Sequence, residues 1–561
     1  MANFAVNNGA NGAEGGWKLS SERTSRLGFT VTISLVLIAT LAAIAVTELH
    51  PAGKSCAECP ACPEPQQPEP CPEQQPCPAP DAAAATGSTQ ATAGTGGGKG
   101  GKAPSLPDPL AVLRASPWEP SLPEHELLKG LVSYGDMSRM RRFFTKLLSG
   151  QAVTVVSIGG SVSWGHGASV RGQTDLPALV FQWMNATFPH PQHKFLNQAI
   201  SATPSNYFTL CLQWHVPPDA DLVLMEFNPN DGPDKGDMPI RRAHERLIRK
   251  LLVHDRRPPL LEVIFCYWAL DWMESAEIPY RMGGDDELGV LSQYYHLPFV
   301  SDRSLLWDAV YAKGSPNYTA EAPWPYFHHD RNHPNDVGHR YLAEMVILYM
   351  RRVLEDLSLR PFSDTDEEAS QAPLPPPMLR NNWPNINNSC LVGKLFGEHV
   401  VASRGFKWMN DGTKEKPKWG WVGTTPNSTL RFEINTATAR AVQSGAMEEG
   451  VATHVGVLHL RSYEHMGIVE FRCVAGCDCQ PLNIDGLHEG KFSQVYHTAW
   501  PVTRAEKCVI EARTLEDTRS GEHKVRIDGV IVSEVAGEHE LKDDRIHVDF
   551  NAPDGVGQFE W

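Results

Sequence analysis

The chain has 561 residues, and 41% of them are hydrophobic and 9% aromatic, which is enough apolar material for two folded cores rather than one. Its 66 acidic residues outnumber the 50 basic ones and give a formal net charge of -16. This excess of negative charge excludes nucleic-acid binding through phosphate neutralisation and favours neutral or cationic partners.

An uncharged apolar segment runs from Leu27 to Thr47, near the start of the chain. Its length matches the roughly 20 residues that cross a hydrocarbon core and exceeds the apolar region of a cleaved signal peptide. Basic residues precede the segment and Glu48 follows it, so the positive-inside rule places residues 1–26 in the cytosol. We expect a single-pass type II membrane protein, with residues 27–47 as its transmembrane helix and the remainder in the lumen or outside the cell.

Four acceptor sequences for N-glycosylation lie downstream of this segment, at Asn185, Asn317, Asn387 and Asn427. Matches this short also arise by chance in a long segment. They are compatible with the secretory pathway and support it weakly.

Residues 48–120 are rich in Pro, Gly, Ala and Gln and poor in large apolar residues, so they cannot bury enough surface to fold. We predict a disordered stem that holds the following domain away from the bilayer. Five cysteines lie in the stem, at positions 56, 59, 62, 71 and 77. Because the expected compartment is oxidising, we favour disulfides over metal ligation, including disulfides that link two chains into a dimer.

Residues 121–360 alternate apolar runs with helical periodicity, which is typical of a doubly wound, three-layer α/β/α fold with a parallel sheet. The predicted strands are 153–159, 194–200, 221–227 and 260–267, and the predicted helices are 176–188, 241–253, 285–296 and 337–357.

An acidic and proline-rich linker at 361–389 separates this domain from residues 390–561. The second region contains alternating runs such as 429–434, 455–460, 468–473 and 523–532, which predict an all-β sandwich. Its five cysteines, at 390, 473, 477, 479 and 508, predict two disulfides and one remaining thiol, in a pairing that the sequence leaves open.

The first predicted strand of the α/β region ends in Gly159-Gly160-Ser161, a turn that would present the Ser161 hydroxyl at a sheet edge. A serine needs a base, and the base needs a partner that fixes its tautomer. Asp330 lies three residues before His333, just ahead of the last helix, so its carboxylate can accept the Nδ1 proton and leave Nε2 directed at Ser161. Pro334 suits the first position of that helix.

Two further turns would open on the same edge, one after the strand that contains Asn197 and one at Asn228-Pro-Asn230-Asp231. Backbone N–H groups and an Asn amide are the donors that a tetrahedral acyl intermediate requires. These four blocks, in this order, resemble those of the SGNH hydrolases, the GDSL-like esterase and lipase superfamily.

The resemblance covers residues 150–355 and implies specific roles. Ser161 would be the nucleophile, His333 the general base and Asp330 its orienting acid. The N–H groups of Ser161 and Ala202 and the side chain of Asn230 would be the oxyanion donors. Gly160 stands where the family usually has Asp, and Ala202 where it commonly has Gly.

A metal site formed by His328, His329, His333 and His339 is the alternative for this histidine-rich loop. We disfavour it because zinc ligands are usually spaced on a rigid scaffold and no partner ligand is evident elsewhere. We therefore expect neither a metal nor another cofactor.

The leading hypothesis is a serine esterase that removes O-acyl groups, O-acetyl first among them, from a glycan or glycoprotein in the Golgi or at the cell surface. A second hypothesis passes the same acyl group to a sugar hydroxyl, as a glycan O-acetyltransferase. A third is a catalytically inactive carbohydrate-binding or adhesion protein, in which the β-sandwich does the work.

Overall fold

The computed structural model describes residues 106–201, 203–231, 239–266, 284–311, 333–384, 389–414, 418–437, 453–491 and 493–533. The predicted cytosolic tail, membrane span and stem cysteines lie outside these residues. Within the described ranges, no helix is both long enough and apolar enough to cross a membrane.

The α/β region contains six described strands: β1 (Leu131–Ser133), β2 (Thr154–Gly159), β3 (Lys194–Asn197), β4 (Leu222–Glu226), β5 (Leu260–Ile264) and β6 (Phe299–Ser301). They form one sheet in the order β1-β6-β5-β4-β2-β3. Strand β1 is antiparallel to β6, and all other neighbours are parallel. The parallel strands follow the flavodoxin-type order, in which a site forms beyond the carboxyl ends of β2 and β4. The predicted α/β fold class is confirmed.

Described helices lie on both faces of this sheet, and their bounds are α1 (Pro109–Ala115), α2 (Glu124–Leu127), α3 (Ser138–Leu148), α4 (Ser161–Trp164), α5 (Leu176–Thr187), α6 (Ser205–His215), α7 (Asn228–Asp231), α8 (Pro239–Leu252), α9 (Gly289–Tyr294), α10 (Asp302–Tyr311), α11 (Asp336–Leu359) and α12 (Asp364–Gln371). Strands β2 and β4 are buried at every position, as expected for parallel strands covered on both faces. Two short helical turns, Leu128–Gly130 and the π-helix Gly284–Leu288, complete the set.

Several element boundaries differ from the sequence predictions. Strands β3 and β5 end at Asn197 and Ile264, earlier than predicted, because an apolar run does not mark where strand pairing stops. The predicted helix at 285–296 is a π-helical turn followed by the short α9. The predicted linker contains helix α12, whose capping box joins Ser363 and Asp366.

The C-terminal region is built from β7 (Ser389–Val392), the short helix α13 (Gly393–Glu398), β8 (Val400–Arg404), β9 (Phe406–Asn410), β10 (Trp419–Gly423), β11 (Thr429–Ile434), β12 (Thr453–Arg461), β13 (Ile468–Ala475), β14 (Leu482–Asp485), β15 (Gln494–Val502), β16 (Cys508–Thr514) and β17 (Val525–Ser533). One antiparallel sheet has the order β15-β12-β17-β10-β9, with β7 paired to β17, and the second has the order β14-β13-β16-β11-β8. Large apolar residues such as Phe432, Phe471 and Ile527 fill the space between the sheets, so the predicted β-sandwich is confirmed.

The two regions share a core and a covalent link. Cys211 on α6 forms a disulfide with Cys390 on β7, and Trp214 Nε1 donates to the Cys390 carbonyl at 2.7 Å. Leu458 and Ile531 of the sandwich belong to the same buried cluster as helices α6 and α8. The sandwich is therefore packed on the face of the α/β layer that includes α6.

The prediction of one unpaired thiol in the sandwich is wrong, because Cys390 pairs with a cysteine 179 residues earlier in the chain. The other four sandwich cysteines form the disulfides Cys473–Cys479 and Cys477–Cys508. Among the described cysteines, the unpaired one is the buried Cys266 of the α/β region.

Candidate active site

Ser161 is the first residue of α4, and Gly160 alone separates it from the end of β2. The Gly160 N–H donates to the Glu226 carbonyl of β4 at 2.9 Å, which fixes the turn to the neighbouring strand. A Cβ at Gly159 would lie 2.3 Å from that same carbonyl oxygen, so the close approach of the two strands requires a glycine there. The turn thus holds the Ser161 side chain at the carboxyl edge of the sheet.

His333 lies on the segment that leads into α11. Its Nε2 is 2.8 Å from Ser161 Oγ, the distance of a hydrogen bond between a nucleophile and its base. The Asn335 side chain caps α11 by accepting from the N–H groups of Val337 at 3.0 Å and Gly338 at 3.1 Å. The helix therefore begins at Asp336, and the prediction that Pro334 occupies its first position is wrong. Asp330, the predicted orienting acid, lies outside the described residues.

A second histidine borders this pair and was not predicted. The His166 ring centroid is 4.0 Å from that of His333, and the rings are inclined by 41°. The His166 carbonyl accepts from Nε2 of the buried His339 at 3.0 Å, while His339 Nδ1 accepts from the Leu176 N–H at 3.2 Å. Burial lowers the pKa of His339 to about 4, so its ring is neutral near pH 7 and the proton is on Nε2.

Asp336 holds the same loop from the start of α11. Its Oδ1 accepts from the Ser169 N–H at 2.7 Å and from the Thr174 hydroxyl at 2.8 Å. Because α11 follows directly after His333, one helix N-terminus positions both the base and the loop that carries His166. The signal in the sequence was a histidine between two glycines, Gly165 and Gly167, close to Ser161.

Asn230 lies against the nucleophile turn. A Cβ built on Gly160 would be 1.8 Å from Asn230 Oδ1, 2.9 Å from its Cγ and 3.8 Å from its Nδ2. The amide therefore occupies the space of a side chain at position 160, and its Nδ2 end points away from Gly160. This gives a physical reason for glycine where the resembling family usually has Asp.

The turn after β3 is bound to the same structure. Asn197 Nδ2 donates to the Ser163 carbonyl at 2.8 Å, and the Ile200 N–H donates to the Gly159 carbonyl at 3.0 Å. These bonds join the second block of the resemblance to the first. Ala202, the predicted backbone donor in this turn, lies outside the described residues.

A buried carboxyl group at the end of β4 accepts a hydrogen bond from the turn that carries Ser161. Glu226 is 1% exposed, and its Oε2 accepts from the Ser163 N–H at 3.1 Å. Burial raises the pKa of Glu226 to about 8, so the group is mostly neutral near pH 7. A neutral acid here accepts from the turn without placing a full negative charge beside it. In the sequence, the available signal is an acidic residue at the end of an otherwise apolar strand, to which the sequence motifs assign no role.

Three of the remaining sequence candidates, Asn185, Asn427 and His339, lie within the described residues. Asn185 is half-buried on α5, and Asn427 is exposed with its Nδ2 donating to Glu516 at 2.8 Å. Asn317, Asn387, His328 and His329 lie outside the described residues. His339 is fully buried and bonded to backbone groups, as described above.

The sequence matches no protein-family model and no curated protein. Crystal structures of a two-domain esterase active on acetylated mannans, one of them co-crystallized with mannopentaose, match with a TM-score of 0.53 and 18% identity. The match covers 73% of this chain and 98% or 99% of the esterase. The likeness establishes the fold. That fold is an α/β region together with a separate antiparallel β-sandwich.

A third structure, the lipase/acylhydrolase from Enterococcus faecalis, matches with 15% identity over 37% of this chain and 96% of its own length. Its TM-score of 0.27 is too low to carry an argument.

Proposed function

We propose that this protein is a serine esterase of the SGNH type that removes O-acyl groups, in particular O-acetyl groups, from a glycan. The observation that carries the proposal is the 2.8 Å contact between Ser161 Oγ and His333 Nε2 at the carboxyl edge of a flavodoxin-order sheet. The two-domain architecture shared with an esterase active on acetylated mannans supports a carbohydrate ester as the substrate class.

In this proposal, Ser161 Oγ attacks the acyl carbonyl carbon while His333 Nε2 takes the hydroxyl proton. The carbonyl oxygen becomes an oxyanion that accepts from the Ser161 N–H and the Asn230 amide. We assign the third donor to the Ala202 N–H and the orientation of His333 to Asp330. When the intermediate collapses, the sugar oxygen leaves with the proton from His333, and the acyl group stays on Ser161.

Water completes the cycle. His333 takes a proton from the water molecule, the resulting hydroxide attacks the acyl carbon, and the carboxylic acid leaves as Ser161 recovers its proton. The half-buried His166 ring beside His333 borders the same space. We place it against the incoming substrate.

We also propose that the protein is a type II membrane protein whose folded region enters the secretory pathway and is N-glycosylated there. Three disulfides in the described region support an oxidising compartment. The apolar segment at 27–47 and the stem remain predictions from the sequence, as does a dimer linked through stem cysteines.

The test is covalent labelling of the purified full-length chain with a fluorophosphonate probe, followed by measurement of acetate released from acetylated mannooligosaccharides. Wild type should label and release acetate, and Ser161→Ala should do neither. Ser157→Ala is the matched control, because its buried hydroxyl lies in β2, the strand that leads to Ser161, and has no hydrogen-bond partner among the described residues. It should label like wild type.

Two outcomes would replace the proposal. A folded wild type that neither labels nor releases acetate points to a binding protein. Faster transfer of acetyl from p-nitrophenyl acetate to a bare oligosaccharide than to water would make the protein an O-acetyltransferase.

A further inference from the structure

A buried imidazole lies behind the proposed oxyanion turns. His244 on α8 is 0% exposed, and its Nδ1 is 3.2 Å from Asp231 Oδ2. Its Nε2 is 2.7 Å from Glu262 Oε1 on β5. Burial alone would lower the pKa of His244, but the charge of Glu262 and the contacts with both carboxylates outweigh burial and raise it to about 10. The ring is therefore a cation between two carboxylates at neutral pH.

Asp231 connects this cation to both turns. It follows Asn230 directly in α7, so its position fixes that of the Asn230 backbone. Its Oδ1 accepts from the Ser205 N–H at 2.7 Å, and Ser205 is the first residue of α6, just after the turn that contains Ala202. The Asp231 carboxylate thus connects the short helix that contains Asn230 to the N-terminus of α6, which follows the turn after β3.

The other side of the imidazole is anchored in the sheet. Glu262 Oε2 accepts from the Ser292 hydroxyl of α9 at 2.8 Å. Asp231, His244, Glu262 and Ser292 are each at most 1% exposed. The charges of this network lie in direct contact with one another, and removing one member leaves the other charges buried without a partner.

Stability alone does not account for such a network. Withdrawing each ion from water costs several kcal/mol, and apolar replacements of buried ion pairs are often as stable. The network lies between the sheet and the two turns that present oxyanion donors, so a role in their geometry accounts for its position.

We propose that His244 is a positioning residue for the acyl-transfer reaction. By fixing Asp231, its side chain holds the Asn230 amide and the turn after β3 at the separation from Ser161 that a tetrahedral oxyanion requires. This inference rests on the proposed esterase function. None of the four sequence blocks contains His244.

The experiment measures kcat and KM for an acetylated oligosaccharide in His244→Gln, Asp231→Asn and the double variant. Each single variant should lower kcat by about 10- to 100-fold, because a displacement of this kind acts on the transition state, and KM should stay within about twofold. The double variant should be no slower than the slower single variant, because both changes break one coupled unit.

His215→Gln is the matched control. His215 is 3% exposed on α6 and contacts the Tyr207 hydroxyl at 3.2 Å, and no ion pair with a carboxylate of the described residues holds it. Burial lowers the pKa of His215 to about 3, so its ring is neutral. This variant should unfold at a lower temperature than wild type and keep its kcat.

The outcomes separate this inference from the proposed function. If wild type labels with fluorophosphonate but folded His244→Gln keeps its kcat within about twofold, the positioning role is wrong and the esterase stands. Independent, additive losses in the double variant would also overturn the role. If His244→Gln does not fold, Glu262→Gln decides: a fall in kcat of about threefold or more at constant KM supports the role, and an unchanged kcat overturns it. If wild type does not label, the proposed esterase function is wrong, and the positioning role that rests on it is wrong as well.

Discussion

The two ends of the parallel sheet both carry polar and charged side chains, and they differ in how many of these groups have a hydrogen-bond or ion-pair partner. At the amino ends of β2, β3 and β4 lies a cleft of about 960 Å³. There Asp221 Oδ1 contacts Lys146 Nζ at 2.6 Å and Arg256 at 2.9 Å, and its Oδ2 accepts from the Thr154 N–H at 2.9 Å. Each of these groups is matched by its neighbours.

The carboxyl end of the same strands is arranged differently. Asn230 Oδ1 and Glu226 Oε1 are buried and have no hydrogen-bond partner among the described residues. His333 Nε2 and Ser161 Oγ are 2.8 Å apart at this end. At this end, buried polar atoms without a partner lie close to the Ser161–His333 pair.

A large polar cleft therefore does not by itself identify a reactive site. Charges that have partners, as at the amino edge, stabilise the domain. Buried polar groups without partners, as at the carboxyl edge, destabilise it, and such groups are often found at functional sites. The following predictions test this distinction, beginning with the largest expected effect.

Replacing the histidine at each end gives the sharpest contrast. His333→Ala should lower the rate of ester hydrolysis by about 10⁴-fold or more, because loss of the base disables the nucleophile. His193→Ala should leave the rate unchanged and cost about 1–3 kcal/mol of stability, because the Val153 N–H loses its acceptor. His193 Nδ1 accepts from that N–H at 3.0 Å, at the amino edge. Kinetic assays measure the rate of ester hydrolysis in both variants, and urea unfolding measures their stability. Equal rates in the two variants would show that the two edges of the sheet do not differ in reactivity.

A smaller effect is expected from the glycine before the nucleophile. In Gly160→Ala the new Cβ must displace the Asn230 amide, so kcat should fall by about 10²- to 10³-fold, as for loss of an oxyanion donor. Gly397→Ala is the control, because a Cβ there meets no atom within 4 Å. A folded Gly160→Ala enzyme with normal kcat would show that Asn230 takes no part in the reaction.

The last effect concerns stability and its dependence on pH, not the rate of reaction. Burial raises the pKa of Glu226 from 4.5 to about 8, so between these values the folded chain holds a proton that the unfolded chain has lost. This contribution makes the free energy of unfolding fall as pH rises from about 5 to about 8, by at most about 1.4 kcal/mol per pH unit. Urea unfolding at pH 5, 6.5 and 8 should show a shallower pH dependence for Glu226→Gln than for wild type.

Glu511→Gln provides the control for that titration. Burial tends to raise the pKa of Glu511, but hydrogen bonds from Arg472 and Arg431 outweigh burial and lower it, so its stabilising contribution is constant above about pH 5. The variant should be less stable by the same amount at all three pH values. Parallel pH curves for wild type and Glu226→Gln would refute the neutral state of Glu226.

The sequence predicted the parts of the molecule whose signals are local. The apolar runs of β2 and β4 and the alternation of β11 mark strands directly, and strand 429–434 was predicted with the bounds it has. The turn at Ser161 and the loop at His333 were recognisable because reactive residue types follow strand ends and precede helices. Their 2.8 Å contact joins residues 172 positions apart.

What the sequence did not predict depends on contacts between distant segments. Helix α6 is buried almost all round and therefore lacks the polar face that periodicity detects. Cys211 and Cys390 are separated by 179 residues, and pairing over that distance leaves no local pattern. His244 shares a helix face with Leu247 and Leu251, where a polar residue on an apolar face was the available signal.

The core shared between helix α6 and the sandwich bears on how the protein unfolds and how it could have evolved. Ile531 and Leu458 of the sandwich and Phe208 and Leu247 of the α/β region lie in one buried cluster, and the Cys211–Cys390 disulfide crosses it. An α/β region excised at the linker would expose this surface to water, so the two regions cannot be exchanged independently. Heating should melt them in a single cooperative transition, and recombination between relatives should succeed only where both halves are inherited together.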